Sequence, residues 1–172
     1  LNKFKNIFLK TKVSWSIGFV KSKSINYPLS KYIEIENPLN SYLADPFVIS
    51  FGSITVCYAE EFNYLSNKGR IVAYQLFKDS YKYLGVALEE DFHLSFPNVF
   101  IHDSEVYMIP ESSRKNQIRL YKCISFPMKW QLSEILIKNI KAVDTLIIRR
   151  NNLWFLITSL CSSGMDDNCS EL

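Results

Sequence analysis

Three segments of this chain repeat one pattern at a spacing of about 50 residues, and that periodicity constrains the fold more than any other feature. They are ADPFVISFGSITVCYAEE from Ala44, FPNVFIHDSEVYMIPESS from Phe96, and VDTLIIRRNNLWFLITSL from Val143. Each has an apolar strand, a polar turn, and a second apolar strand that ends in small or acidic residues. Pro46 and Pro97 lie 51 positions apart, and Asp45 and Asp144 lie 99 apart, close to two periods. The stretches between copies also correspond. GRIVAYQLF from Gly69 matches QIRLYKCI from Gln117, both alternating in period two after a polar loop. A weaker fourth strand follows in each, GVALEE after Tyr83 and WQLSEILI from Trp130.

Four antiparallel strands per unit, repeated in series, predict an all-β propeller whose blades pack face to face. The first strand of each blade then lines a central channel. The expected blades are residues 44–92, 93–141 and an incomplete third at 142–172, preceded by a strand region at 1–43. A β-sandwich is the alternative, but it does not require a constant period. Residues 131–142 have the best helical spacing in the chain, yet their β-branched content argues for strand. Within the first 43 residues, Val13–Val20 and Tyr32–Ile35 read as short strands, the former suited to latch a ring by completing its last blade. The final residues, SSGMDDNCSEL, read as a loop inside the third blade. Three blades do not close a ring, so the expectation is a longer natural chain, with self-association as the alternative.

Composition supports pleated structure: 12 Phe, 10 Tyr and 3 Trp accompany only 5 Gly and 6 Pro. No run approaches a transmembrane span, and the opening LNKFKNIFLK lacks the apolar core and cleavage pattern of a signal peptide. Lys3, Lys5, Lys10, Lys12, Lys21, Lys23 and Lys31 all precede the first acid, Glu34. This run reads as a solvated segment, with an anionic partner or membrane surface as the alternative. No nucleic-acid motif accompanies it. Cys57 and Cys123 sit in strand patterns and read as buried thiols, while Cys161 and Cys169 flank a polar loop. Reduced thiols and the missing secretion signal point to a cytoplasmic address.

Asp45 and Asp144 are the candidate catalytic residues. Both open an innermost strand, where side chains face the channel, and Pro46 is expected to hold Asp45 in an extended backbone. His93 and Ser95 enter at the mouth of the second blade and would complete a polar pocket that orients a sugar. Asp side chains also cap turns, so this structural role stands beside the chemical one. Glu61 and Glu111 end corresponding second strands and are the other candidate substrate-binding residues. The alignment favours Glu61 over its neighbour Glu60 as the counterpart of Glu111, and pairing with Arg70, Arg114 or Arg119 is the competing use. His93 has no clustered partners for a metal, and His102 sits in a surface turn. Trp15, Trp130 and Trp154 suit sugar stacking, but Trp130 and Trp154 fall in strand patterns and read as packing. No phosphate loop, dinucleotide glycine set, GxSxG or HExxH occurs, so no cofactor or metal is expected.

ADPF at Ala44, YAEE at Tyr58, FHLSFP at Phe92, YMIPESS at Tyr107, LYKCISFPMKW at Leu120 and VDTLI at Val143 occur in order. Together they resemble a family of five-bladed propeller domains related to the family 43 glycosyl hydrolase fold, over about residues 13–172. That family includes the N-terminal domain of plant glucosamine inositolphosphorylceramide transferases and bacterial relatives. The resemblance implies a carbohydrate-related role in glycan or glycolipid synthesis, with a sugar-containing ligand and a fused or partner transferase domain. By that likeness Asp45 would be a general base and Asp144 would tune the acid, with the acid itself on a later blade. Glu111 is not at a strand start and does not take that part. The expected role is carbohydrate recognition beside a transferase. A truncated family 43-type glycosidase and a non-enzymatic protein-interaction propeller are the alternatives.

Overall fold

The computed structural model describes residues 14–23 and 31–161 and contains twelve β-strands. Lys3, Lys5, Lys10 and Lys12, Val13, Cys169 and the SSGMDDNCSEL tail lie outside the described residues. Two short strands, β1 (Ile17–Phe19) and β2 (Ile33–Ile35), pair antiparallel. A first four-stranded sheet follows as a sequential meander: β3 (Ser41–Phe51), β4 (Ile54–Asn63), β5 (Lys68–Leu76) and β6 (Tyr81–Leu88). The second repeats it: β7 (Ser95–His102), β8 (Glu105–Glu111), β9 (Gln117–Ser125) and β10 (Lys129–Lys138). A third sheet holds β11 (Ala142–Arg150) and β12 (Leu153–Leu160). The described residues are thus all-β, their sheets resembling partial propeller blades, and among them no ring closes. Residues 131–138 are strand, as their β-branched content indicated.

Local sequence explains the repeated hairpin. In each sheet the first two strands are joined by two residues: Gly52–Ser53, Asp103–Ser104 and Asn151–Asn152. Gly52, Asp103, Ser104, Asn151 and Asn152 all have positive φ, the backbone that tight hairpins need and that Gly, Asn and Asp supply most readily.

The first strand of each sheet also carries the same irregularity. Register slips between Ala44 and Phe47, between Ser95 and Asn98, and between Val143 and Leu146. At the slip, Asp45, Phe96 and Asp144 have φ of 50°, 45° and 53°. Pro46 was expected to keep Asp45 extended; the bulge overrides it. Pro disfavours the right-handed helical region for its predecessor, and Asp can use the left-handed one instead.

Strand β4 is buried on both faces, which is why its sequence is a continuous apolar run. Val56 and Tyr58 face a core shared with the second sheet, where Ile71, Leu94, Met108 and Tyr121 are also buried. Cys57 and Ala59 face the opposite way, toward Ile17, Ile35, Leu43, Val72 and Tyr74. A smaller cluster of Ile109, Ile118 and Ala142 joins the second sheet to the third. Cys57 is buried and Cys123 half-buried, both unbridged. Trp130 packs edge-on against Tyr58 at 5.5 Å, but Trp154 is 39% exposed and lies outside the core. His102 is half-buried in its turn, 5.2 Å from the Trp154 ring. Among the described residues no helix is long and apolar enough to cross a membrane.

Tyr58 is one polar tie between the first two sheets: fully buried, it donates its hydroxyl to the Pro127 carbonyl at 2.7 Å. Tyr58→Phe removes that bond and leaves the carbonyl with the Trp130 Nε1–H alone, which donates to it at 3.0 Å, at a cost of about 0.5–1.5 kcal/mol. Tyr58→Ala also opens a cavity and costs about 3–5 kcal/mol. Urea denaturation midpoints of the two variants should fall in that order.

Candidate functional site

A cavity of about 590 Å³ opens where the first strands of the three sheets converge. Leu43, Ala44, Asp45 and Pro46 of β3, Ser95 and Phe96 of β7, and Val143, Asp144 and Leu146 of β11 line it. Glu60 from β4, Glu111 from β8, His93, Ser113 and Arg114 complete its wall, with Trp15 and β1 along one side. The structure therefore brings Asp45, Asp144, His93, Ser95 and Glu111 together, as the sequence expected. It adds Glu60, which brings the carboxyl groups of the lining to four beside one arginine and one histidine.

Glu61 is not part of it. Register pairs Ala44 with Glu60 and Ser95 with Glu111, so Glu60 is the counterpart of Glu111. Neighbouring strand residues face opposite ways, and this sends Glu61 to the other side of the sheet. There it is buried and accepts bonds from Arg70 Nε and Nη2 at 3.2 Å and from Ser41 Oγ at 3.1 Å. The alignment by eye was one residue out of step: β3 and β7 carry the same bulge, and the 51-residue spacing that relates Pro46 to Pro97 also relates Glu60 to Glu111.

The bulges and carboxylates are stitched together across the sheets. Asp45 Oδ2 accepts the Phe96 N–H at 3.2 Å, the bulge residue of the next sheet. Glu111 Oε2 accepts the Asp144 N–H at 3.2 Å, the bulge residue of the sheet after that, while its Oε1 accepts Ser113 Oγ at 2.8 Å. Asn98 Oδ1 adds a third such link by accepting the Ile147 N–H at 2.9 Å. Burial pushes the Asp45 carboxyl above its usual range; the Phe96 N–H works against this and the Asp144 charge adds to it. Burial likewise raises Glu111, opposed by Ser113 and the Asp144 N–H and helped by the charges of Asp144 and Asp45.

Glu60 is the most displaced of the group. Burial, with the charges of Asp45 and Glu111 behind it, pushes its carboxyl to about 8. It is 4% exposed, and its Oε1 has no hydrogen-bond partner. His93 Nε2 stands 3.4 Å from it, an approach too poorly aligned to form a hydrogen bond. The histidine tautomer follows from its other side. His93 Nδ1 accepts the Gly69 N–H at 2.9 Å, so it carries no proton and the neutral ring holds its proton on Nε2. Burial and the Arg114 charge lower this imidazole to about 4, so both partners are neutral near pH 7.

Gly69 makes the pair possible. A Cβ there would stand 2.5 Å from Glu60 Oε1, 2.5 Å from the Leu94 carbonyl and 2.8 Å from His93 Cε1. Sequence reasoning missed Glu60, Ser113 and Arg114. The available signal for Glu60 was its place in the doublet Glu60–Glu61, ahead of Gly69 near the start of the next strand. Among the described residues no three His, Cys, Asp or Glu side chains gather to hold a metal ion.

Two predictions follow from this geometry. Gly69→Ala must displace backbone as well as side chains and should cost about 1–3 kcal/mol, read as a fall in thermal midpoint. The second concerns pH. The raised Glu60 binds its proton more tightly in the folded state, so its contribution to stability falls from about pH 4.5 to about 8. The lowered His93 acts oppositely between about 4 and 6.5, so the fall is unopposed by it between about pH 6.5 and 8. Chemical denaturation across that window should show declining stability in the natural protein and a flatter profile in Glu60→Gln.

Comparison with known proteins places this geometry in context. The profile of the family described as "Glucosamine inositolphosphorylceramide transferase 1, N-terminal" matches residues 30–172. Proteins named glucosamine inositolphosphorylceramide transferase 1 from Oryza sativa (subspecies indica and japonica) and Arabidopsis thaliana are 34% identical over 122 residues. That alignment covers 70% of this chain, and the chain spans about 16% of the length of each relative. Among solved structures, a GH32 β-fructofuranosidase of Bombyx mori superposes with a TM-score of 0.49 at 18% identity, covering 74% of this chain and 33% of the other.

Proposed function

The chain belongs to the glucosamine inositolphosphorylceramide transferase 1 N-terminal family, and on that premise we propose that its cavity binds the sugar portion of a glycan or glycolipid substrate. The domain acts as a recognition module beside a transferase centre carried elsewhere, on a propeller of five blades of the family 43 hydrolase type. The observation that carries this reading is the convergence of Asp45, Glu60, Glu111 and Asp144, from three successive sheets, on one cavity. Carboxyl groups at fixed spacing suit the hydroxyls of a sugar, and Phe96 supplies an apolar face among them. Its ring is half-buried and braced edge-on by Phe47 at 4.9 Å. An aromatic residue in left-handed backbone costs about 1–3 kcal/mol, and such strain concentrates at functional sites.

Charge decides which end of the substrate enters. With four carboxyl groups against Arg114, a phosphate would meet net repulsion, whereas hydroxyls or an amine would be accepted. The relatives' name joins glucosamine to inositolphosphorylceramide, so D-glucosamine and inositol 1-phosphate are discriminating probes. Asp45 and Asp144 contact the sugar in this reading, and turnover occurs at the separate transferase centre.

The test is amide-shift NMR titration of the 172-residue chain. D-glucosamine and methyl β-D-glucopyranoside should shift resonances of residues 43–46, 95–96 and 143–146, and inositol 1-phosphate should not. Replacing Asp45 and Asp144 together by Asn should weaken sugar binding about tenfold or more, the loss of roughly 1.4 kcal/mol of contact. Binding that survives the double replacement unchanged rejects the cavity as the sugar site and favours a protein-interaction role. Hydrolysis of an aryl glycoside by the natural protein, lost in Asp45→Asn, would favour the glycosidase reading.

A further inference from the structure

We infer that Glu60, whose carboxyl Oε1 has no partner within the protein, is the ligand-contacting hydrogen-bond donor of this cavity and pairs with a hydroxyl or ring oxygen of a bound neutral sugar. The inference rests on the carbohydrate reading above and assigns to it a group that neither the sequence pattern nor the family likeness singles out.

Two glutamates occupy one register position. Glu60 stands opposite Ala44, and Glu111 opposite Ser95, each at the point where the first strand bulges. Glu111 has both oxygens engaged, one by Ser113 Oγ and one by the Asp144 N–H. It is a fastener between sheets. Glu60 has the same placement and no such work: its Oε1 is bonded to nothing, although the residue is 4% exposed. A buried polar atom without a partner costs about 1–3 kcal/mol, a cost retained where another molecule supplies the missing bond.

The surroundings explain which bond that is. On β3, Asp45 and Tyr42 face Glu60; on β8, Glu111; from the loop after β6, His93; from the turn after β8, Arg114. Asp45 and Glu111 each accept a backbone N–H, a bond that favours the charged carboxylate and opposes the upward push of burial. Tyr42 is pushed up to about 12 by burial and stays neutral. His93 cannot charge without setting an N–H against the Gly69 N–H that its Nδ1 now accepts. No cation therefore compensates a second negative charge at Glu60 at close range. The carboxyl holds its proton and offers an O–H that the neighbouring carboxylates lack. A sugar hydroxyl both donates and accepts. Asp45 can take its proton and Glu60 can bond its oxygen, which makes the pair complementary to one hydroxyl in a way two carboxylates are not.

The closing experiment uses methyl β-D-glucopyranoside, which has no titrating group, and measures Kd by amide-shift titration from pH 6.5 to 9. In the natural protein, affinity should weaken by about tenfold over that range as the competent protonated fraction falls. Glu60→Gln keeps the shape and a neutral donor, so it should bind within about threefold of the natural protein at pH 6.5 and show a flat profile to pH 9. Glu60→Leu should weaken binding about tenfold or more at pH 6.5 while retaining the native thermal midpoint or exceeding it, since it removes a buried unpaired carboxyl. If the sugar binds and neither its pH profile nor Glu60→Leu changes Kd, the assignment of Glu60 is overturned and the carbohydrate reading stands. If affinity rises with pH, Glu60 acts as an ionised acceptor and the assignment is likewise wrong. If neither methyl β-D-glucopyranoside nor D-glucosamine binds the natural protein, the carbohydrate reading falls and this one with it.

Discussion

At Asp45, Phe96 and Asp144 the backbone passes through the left-handed region, and there the ladder of each sheet slips before resuming. The rest of the site depends on that repeated bulge. It leaves a backbone N–H at the bulge unclaimed by its own sheet, and it re-aims the side chain that carries it. The free N–H groups of Phe96 and Asp144 are then taken by carboxylates of the preceding sheet, Asp45 and Glu111. One local backbone device thus satisfies buried donors, fixes the spacing of successive sheets and gathers acids around a shared cavity.

That gathering is electrostatically expensive. Four carboxyl groups share a wall with Arg114, and burial raises Asp45, Glu60 and Glu111 together. The fold offsets part of the cost by hydrogen-bonding two of them to backbone N–H groups, and it resolves the remainder by keeping Glu60 protonated. The contrast between Glu60 and Glu61 shows the two solutions side by side. Glu61, equally buried, is held in a fork of bonds from Arg70. Glu60 has no such partner, and Gly69 leaves only enough room for the His93 ring beside it.

Most of the architecture was legible because it rests on local rules. Period-two alternation and the two-residue turns at Gly52, Asp103 and Asn151 define each hairpin, and the repeat of about 50 residues sets their order. Asp45 and Asp144 were legible as a matched pair, and His93 and Ser95 as their neighbours. The bulge was not. Nothing in the dipeptide Asp45–Pro46 separates an extended backbone from a left-handed one, and Phe96 at the equivalent place is a residue that rarely adopts it. Glu61 stood in for Glu60 because the match by eye departed by one residue from the 51-residue spacing that relates Pro46 to Pro97 and Glu60 to Glu111. Arg114 and Ser113 escaped notice because a short 3₁₀ turn, Ser113–Lys115, brings them to the cavity. Trp154 was read as core from its strand pattern, but β12 has no further strand beside it among the described residues, which leaves that face exposed.

The account stands on the claim that one acidic cavity, framed by the three bulges, receives a sugar. A crystal structure of the chain grown with D-glucosamine locates the ligand directly. The account predicts density for a pyranose against the Phe96 ring, with its hydroxyls within hydrogen-bond distance of Asp45, Glu60 and Asp144. A sugar bound elsewhere on the surface, with the cavity holding only water, would contradict it.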